Sequence, residues 1–276
     1  GSNACSVGFS HRIVWMAQGT PGCSRNPAHS SADSDGFTVV RRGRKAQHLI
    51  EPATRPQGDQ ADIERAMQKA ARACKEETRF IEWLHNRLEL VLRDRRLGSL
   101  VLLGNGNFDG PSEPGAFQLA LALDIAERFK CQVIFQDPQC TGQEREWLRK
   151  HDILVREESS IDGLLPSPLQ SDEGVSTLVF FVHCPHGLLE SLLASGWSKS
   201  AANSILVCND YSDWTERDFA RSVDGDLRHL RVFCSLALSE PLPPFDPLPF
   251  AFHLTSVMHL KPGVTLPSRD SMSFTG

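Results

Sequence analysis

Ser99-Leu100-Val101-Leu102-Leu103-Gly104-Asn105-Gly106-Asn107-Phe108 decides the fold. Leu100–Leu103 is a short apolar run of β character. The next four are a glycine turn. Beyond a loop broken by Pro and Gly, the spacing predicts a helix over about Gly115–Phe129. A second apolar run, Cys131–Phe135, ends in Gln136-Asp137-Pro138. Strand, glycine turn, helix and strand with an acid at its tip form the opening unit of a doubly wound α/β sheet.

The chain downstream continues the alternation. Thr141-Gly142-Gln143-Glu144 has the spacing of a capping box and opens a helix to about Lys150. Ile153–Val155 reads as a short strand. Thr177–Val182 is an apolar strand without alternation, so both of its faces are expected to be buried. His183-Cys184-Pro185-His186 falls at its carboxyl end, before a helix over Gly187–Ala194. Ser204–Cys208 reads as a strand ending at Asn209-Asp210, and Asp213 caps a helix through Val223. Leu230–Leu236 and Phe250–Met258 read as the last two strands, joined by the proline-rich connector Pro241–Pro249. The fold class expected is α/β, a Rossmann-like doubly wound, mostly parallel sheet. A non-helical join between the last two strands predicts that they pair antiparallel, as in Rossmann-like methyltransferase folds.

Upstream, residues 1–60 are rich in Gly, Ser, Pro and polar residues and are expected to form a disordered tail, with Gly1-Ser2 reading as an expression scar. The tail carries a basic element, Arg41-Arg42-Gly43-Arg44-Lys45, which reads as a nuclear-import signal, a phosphate contact or a solvated patch. Residues 61–98 are expected to be a helical extension, as one helix or two, with a stripe of Phe80, Ile81, Leu84, Leu88, Val91 and Leu92. The Rossmann-like domain is expected over 99–260 and a flexible C-terminal tail over 261–276. The net charge of −5 argues against nucleic acid as the main partner. No apolar run reaches the ~18 residues of a membrane span, so no membrane partner is expected. The eight cysteines form no Cys-x-x-Cys pair. They read as buried thiols of a reduced intracellular protein, expected in the cytoplasm with the nucleus as second location.

In open α/β sheets ligands bind outside the carboxyl ends of the strands. Gly104, Gly106, Asn107, Asp137, His183, Cys184 and Asn209 are all expected at such ends and are the candidate ligand-binding residues. The glycines allow close approach of backbone to ligand, and Asp137 is placed to accept from ribose hydroxyls. A dinucleotide fingerprint wants Gly where Asp109 stands, and its acid lies ~20 residues on, whereas Asp137 lies 31 residues past Gly106. A small nucleoside without pyrophosphate, such as S-adenosylmethionine, is therefore the expected ligand. His183, Cys184 and His186 are too few and too bunched for zinc, so no metal is expected. No catalytic residue is assigned.

Several of these pieces resemble one family. Gly104-x-Gly106-Asn107-Phe108, Phe117-Gln118-Leu119-Ala120, Asp137-Pro138 with Glu144, the Thr177–Cys184 run, Trp197, Asn209 and Thr255-Ser256-Val257 are similar, in order and spacing, to the sensitivity-to-red-light-reduced family. Asp35–Arg44 resembles a short N-terminal element of many members. The resemblance implies a regulatory protein with protein partners, linked to circadian clock input, clock gene expression and haem biosynthesis, with no established reaction. It also draws attention to Cys184-Pro185 as an axial thiolate for haem, although Pro185 is not a family feature; haem ranks below a nucleoside. The alternative to a regulator is a methyltransferase-like enzyme or a nucleoside-binding sensor.

Overall fold

The computed structural model describes residues 57–110, 112–157, 160, 161, 164, 165, 174–197, 199–269 and 271. The basic element and the tail up to residue 56 lie outside the described residues.

Two helices precede the sheet, α1 (Gln60–Glu76) and α2 (Thr78–Leu92). Asp59 and Asp62 cap α1 reciprocally, each carboxylate accepting the other's amide. Ile63, Ala66, Met67, Ala70 and Cys74 bury one stripe of α1, and Phe80, Leu84, Leu88 and Val91 one stripe of α2. Three- and four-residue spacing of apolar side chains puts them on one helix face.

A seven-stranded sheet follows, in the order β3-β2-β1-β4-β5-β7-β6. Its strands are β1 (Arg96–Leu103), β2 (Gln132–Gln136), β3 (Leu154–Val155), β4 (Val175–Phe181), β5 (Ser204–Asn209), β6 (Ala237–Pro241) and β7 (Thr255–Leu260). The first five run parallel. Strand β7 inserts antiparallel between β5 and β6, so the last two strands pair as their non-helical join predicts.

Helix α3 (Pro114–Phe129) links β1 to β2, and α4 (Gly142–Lys150) links β2 to β3. Between β4 and β5 lie α5 (His186–Ser195) and α6 (Lys199–Ala202). Between β5 and β6 lie α7 (Glu216–Arg221) and α8 (Arg228–Leu236). Alternate residues of β4 serve different faces. Leu178, Phe180 and Val182 join the core formed with α1 to α4, and Val179 and Phe181 are buried outside that cluster. Phe80 of α2 closes that core by packing edge-on against Phe245, at 5.1 Å between ring centroids. The chain proceeds outward from β1 to β3, then returns to place β4 on the other side of β1. The topological switch point therefore lies between β1 and β4.

Three expectations need correction. The helix expected from an Asp213 cap to Val223 is α7, Glu216–Arg221, with Thr215 at its N-cap. Leu230–Leu236 is not a strand but most of α8, and β6 follows it at once. Leu230 and Phe233 lie one turn apart and are buried. The helix start is satisfied from outside: the Glu190 carboxylate of α5 accepts the amides of His229 at 3.2 Å and Leu230 at 2.8 Å. Pro241 then ends an edge strand, where its missing N–H costs no ladder bond. The last strand starts at Thr255 rather than Phe250, because Pro249–Ala251 forms a 3₁₀ turn and Leu254 takes a left-handed φ of 48°.

Candidate functional site

The glycine turn after β1 is left-handed at Gly104 (φ 66°) and Gly106 (φ 73°), a region glycine enters without steric cost. The Gly104 amide donates to the Gln136 carbonyl at 3.0 Å, keeping the turn beside the tip of β2. Asp137, the first residue past β2, is 7% exposed. Its Oδ2 accepts the Gly106 amide and its Oδ1 the Gln139 amide, both at 2.7 Å. Burial raises its pKa above the ordinary carboxylate value, against the lowering effect of those two amides. One lone pair on each oxygen remains uncommitted by these bonds.

Glu144 holds the other side of the turn. It is fully buried and its carboxylate accepts the Phe108 amide at 2.6 Å, the Thr141 amide at 2.7 Å and Asn107 Nδ2 at 3.0 Å. The capping box read from the sequence is present. What the local motif does not show is that the same carboxylate fastens the glycine loop to α4.

Asn105 was not among the expected site residues. The residue is 6% exposed. Nδ2 donates to the carbonyls of Gly106 and Gly115, both at 3.1 Å, while Oδ1 is buried without a hydrogen-bond partner. The amide cannot be reversed, since that would set its oxygen against two carbonyl oxygens. Gly115 makes the approach possible: a Cβ there would lie 2.4 Å from the Asn107 carbonyl oxygen and 2.9 Å from Asn105 Nδ2.

Across the switch point, the tips of β4 and β5 form a second network. His183 takes a left-handed φ of 57°. Its amide donates to Asn209 Oδ1 at 2.8 Å, and Asn209 Nδ2 donates to the Cys184 carbonyl at 3.0 Å. The His183 ring meets the His253 carbonyl through Nε2 at 2.9 Å. A carbonyl only accepts, so Nε2 carries the proton and Nδ1 is left as the acceptor of the neutral ring. The Cys184 thiol joins the two networks, donating to the carbonyls of Leu103 at 3.3 Å and Gly104 at 3.5 Å. Burial above all, and then the Asp137 charge, push this thiol far above its ordinary pKa, so it is not an activated nucleophile.

The structure thus places Gly104, Gly106, Asn107 and Asp137 in one hydrogen-bonded group and His183, Cys184 and Asn209 in another, meeting at the carboxyl ends of β1 and β4. His186 belongs elsewhere. Its Nδ1 contacts the Tyr211 hydroxyl at 2.9 Å, and its ring packs on Trp214. A cavity of about 370 Å³ lies apart from the strand tips, between α7 and α8, with Phe219, Asp226, Arg228 and Arg231 in its wall. Both arginines there are paired, with Asp226 and Glu216. Among the described residues, no group of three or more His, Cys, Asp or Glu is placed to hold a metal ion. No described helix is long and apolar enough to cross a membrane.

The sequence model of the SRR1 domain matches residues 82–259, from within α2 to within β7. Among solved structures, the chain is similar to one described as the crystal structure of MtNAS in complex with MTA and tNA. The TM-score is 0.37 at 16% identity, over 72% of this chain and 70% of that one. The search of curated proteins finds no match.

Proposed function

The chain belongs to the SRR1 domain family, and from that premise we propose that it is a regulatory module acting in clock gene expression and in control of haem biosynthesis through protein partners. The observation that carries this reading is the state of the strand-tip groups. Asp137 and Glu144 accept backbone amides, Cys184 is a buried thiol with a raised pKa, and Asn209 braces two strand ends. These groups serve the architecture of the crevice, and a nucleophile activated by a base is not among them. The proposed location is the cytoplasm, with entry to the nucleus. The test is a cell line lacking the protein, scored for rhythm of clock transcripts and for haem content, then complemented with the full chain. Altered rhythm or haem, restored by the chain, is the expected result. Normal rhythm together with normal haem would overturn the proposal.

A second reading, a nucleoside-binding sensor or S-adenosylmethionine-dependent enzyme, is favoured by the two left-handed glycines at the switch point between β1 and β4. Calorimetric titration with S-adenosylmethionine and with NAD tests it. Binding of the former and not the latter is expected, and silence from both to millimolar concentration removes it.

A further inference from the structure

We infer that the switch-point crevice selects an uncharged or cationic ligand carrying amine or hydroxyl donors, a nucleoside rather than a nucleotide, and that Asn105 Oδ1 is the acceptor that anchors it. The inference rests on the nucleoside-binding reading above and adds the chemistry that would do the selecting.

Three observations carry it. First, Oδ1 of Asn105 is a buried acceptor with no partner, and its orientation is fixed, because Nδ2 is held by two carbonyls. A buried acceptor left unsatisfied is costly, and native structures keep such groups where a water or a ligand completes them. The Asn105 side chain is held against the first turn of α3 by its Nδ2 on the Gly115 carbonyl, beside a glycine whose missing Cβ makes room for that Nδ2. It thus sits next to the helix start where ligands of open α/β sheets bind.

Second, the surroundings are carboxylate-rich. Asp109, Asp137 and Glu144 are 4%, 7% and 0% exposed and flank the same turn. Asp109 Oδ2 accepts the Gly58 amide at 2.7 Å, so all three carboxylates are fastened to backbone around it. A phosphate brought here meets like charge in a poorly solvated setting, whereas an amine or hydroxyl meets acceptors. The Gly106 amide, which a phosphate would need, is already given to Asp137.

Third, the opposite rim offers another acceptor. His183 is exposed, and its Nε2–H is engaged by the His253 carbonyl, which leaves Nδ1 of the neutral ring for a donor. The left-handed backbone at this histidine is the strained conformation that clusters at ligand sites. Oδ1 is closed off from solvent in this structure, so a ligand donor reaches it with a local opening of the residues around the turn.

The experiment is a titration series on the intact chain. Adenosine and S-adenosylmethionine are compared with AMP and NAD, and adenosine with purine riboside, 2′-deoxyadenosine and 3′-deoxyadenosine, each of which lacks one donor. Adenosine is expected to bind at least about tenfold more tightly than AMP. One donor deletion is expected to weaken binding about tenfold or more, and that penalty should vanish in Asn105→Ala. Should Asn105→Ala fail to fold, the ligand series on the unaltered chain still decides. If adenosine binds but AMP binds as well, or no single deletion changes affinity more than about twofold, the inference is overturned and Oδ1 holds only a water. If no nucleoside binds up to millimolar concentration, the nucleoside-binding reading itself falls and takes the inference with it.

Discussion

Replacing Glu144 should unfasten the glycine turn from α4. The carboxylate accepts three hydrogen bonds, from Phe108 N, Thr141 N and Asn107 Nδ2, and is fully buried. In Glu144→Ala the Phe108 amide, on a residue with no exposure, is left without an acceptor. A stranded buried donor costs about 1–3 kcal/mol. Thr141 and Asn107 are only half-buried and recover part of their loss from water. Loss of the capping box adds about 1 kcal/mol, so the sum is about 2–4 kcal/mol. At ~2–4 °C per kcal/mol for a domain of this size, the melting temperature should fall by about 4–16 °C. Glu144→Gln keeps the volume and one acceptor oxygen but turns an NH₂ toward a donor, so its cost should lie between the wild type and Glu144→Ala. Urea unfolding of all three chains measures the order, and amide exchange at Phe108 reports whether the loss is local. A Glu144→Ala chain within about 0.5 kcal/mol of wild type would refute the reasoning, as would a Gln variant weaker than the Ala variant.

Two glycines separate steric from torsional demand. Gly115→Ala brings a Cβ to 2.4 Å and 2.7 Å from the carbonyl oxygens of Asn107 and Asn105. It should destabilise by more than about 2 kcal/mol in urea unfolding, although Ala is the better helix former by ~1 kcal/mol. Gly106→Ala meets nothing within 4 Å but sits at φ 73°, so only the left-handed penalty of about 1–2 kcal/mol should appear. Asp137 has a pKa raised chiefly by burial, so the native state keeps its proton longer than the unfolded state does. Its contribution to stability should therefore fall as pH rises from the unfolded value of about 3.9 through the folded one. Asp137→Asn should flatten that part of the stability–pH curve, measured by urea unfolding across acidic pH; an unchanged curve would refute the assignment.

Where local pattern and tertiary demand agreed, the fold was legible. The apolar run of β4, lacking alternation, announced a strand covered on both faces, and it occupies the middle of the sheet. The spacing Phe80, Leu84, Leu88 announced the buried face of α2. The failure at Leu230–Leu236 has a definite origin. Seven residues with Leu, Val and Phe at mixed spacing suit either a strand or an amphipathic helix. The deciding group was Glu190, 40 residues upstream of Leu230, whose carboxylate takes the two helix-start amides. A cap supplied across that distance leaves no trace in a local window, and the strand it displaced moved to a segment whose Pro241 argued against one.

The candidate site divides along the same line. Strand-tip position depends on element order, which the sequence carries, so Gly104, Asp137, His183 and Asn209 were reachable from it. What each side chain does there depends on which backbone groups surround it. Asp137 was expected to face a ribose; in the structure each of its oxygens accepts one backbone amide, of Gly106 and of Gln139, and keeps one lone pair. Asn105 was not singled out in the sequence, yet its Oδ1 is buried without a hydrogen-bond partner. The difference lies in valence. A carboxylate offers acceptors alone, so one amide on each oxygen does not exhaust it. A carboxamide must satisfy a donor and an acceptor on opposite sides, and here the carbonyls of Gly106 and Gly115 fix the donor side. The direction of the remaining oxygen is therefore fixed by the turn itself, while access to it depends on an opening of the residues that bury it.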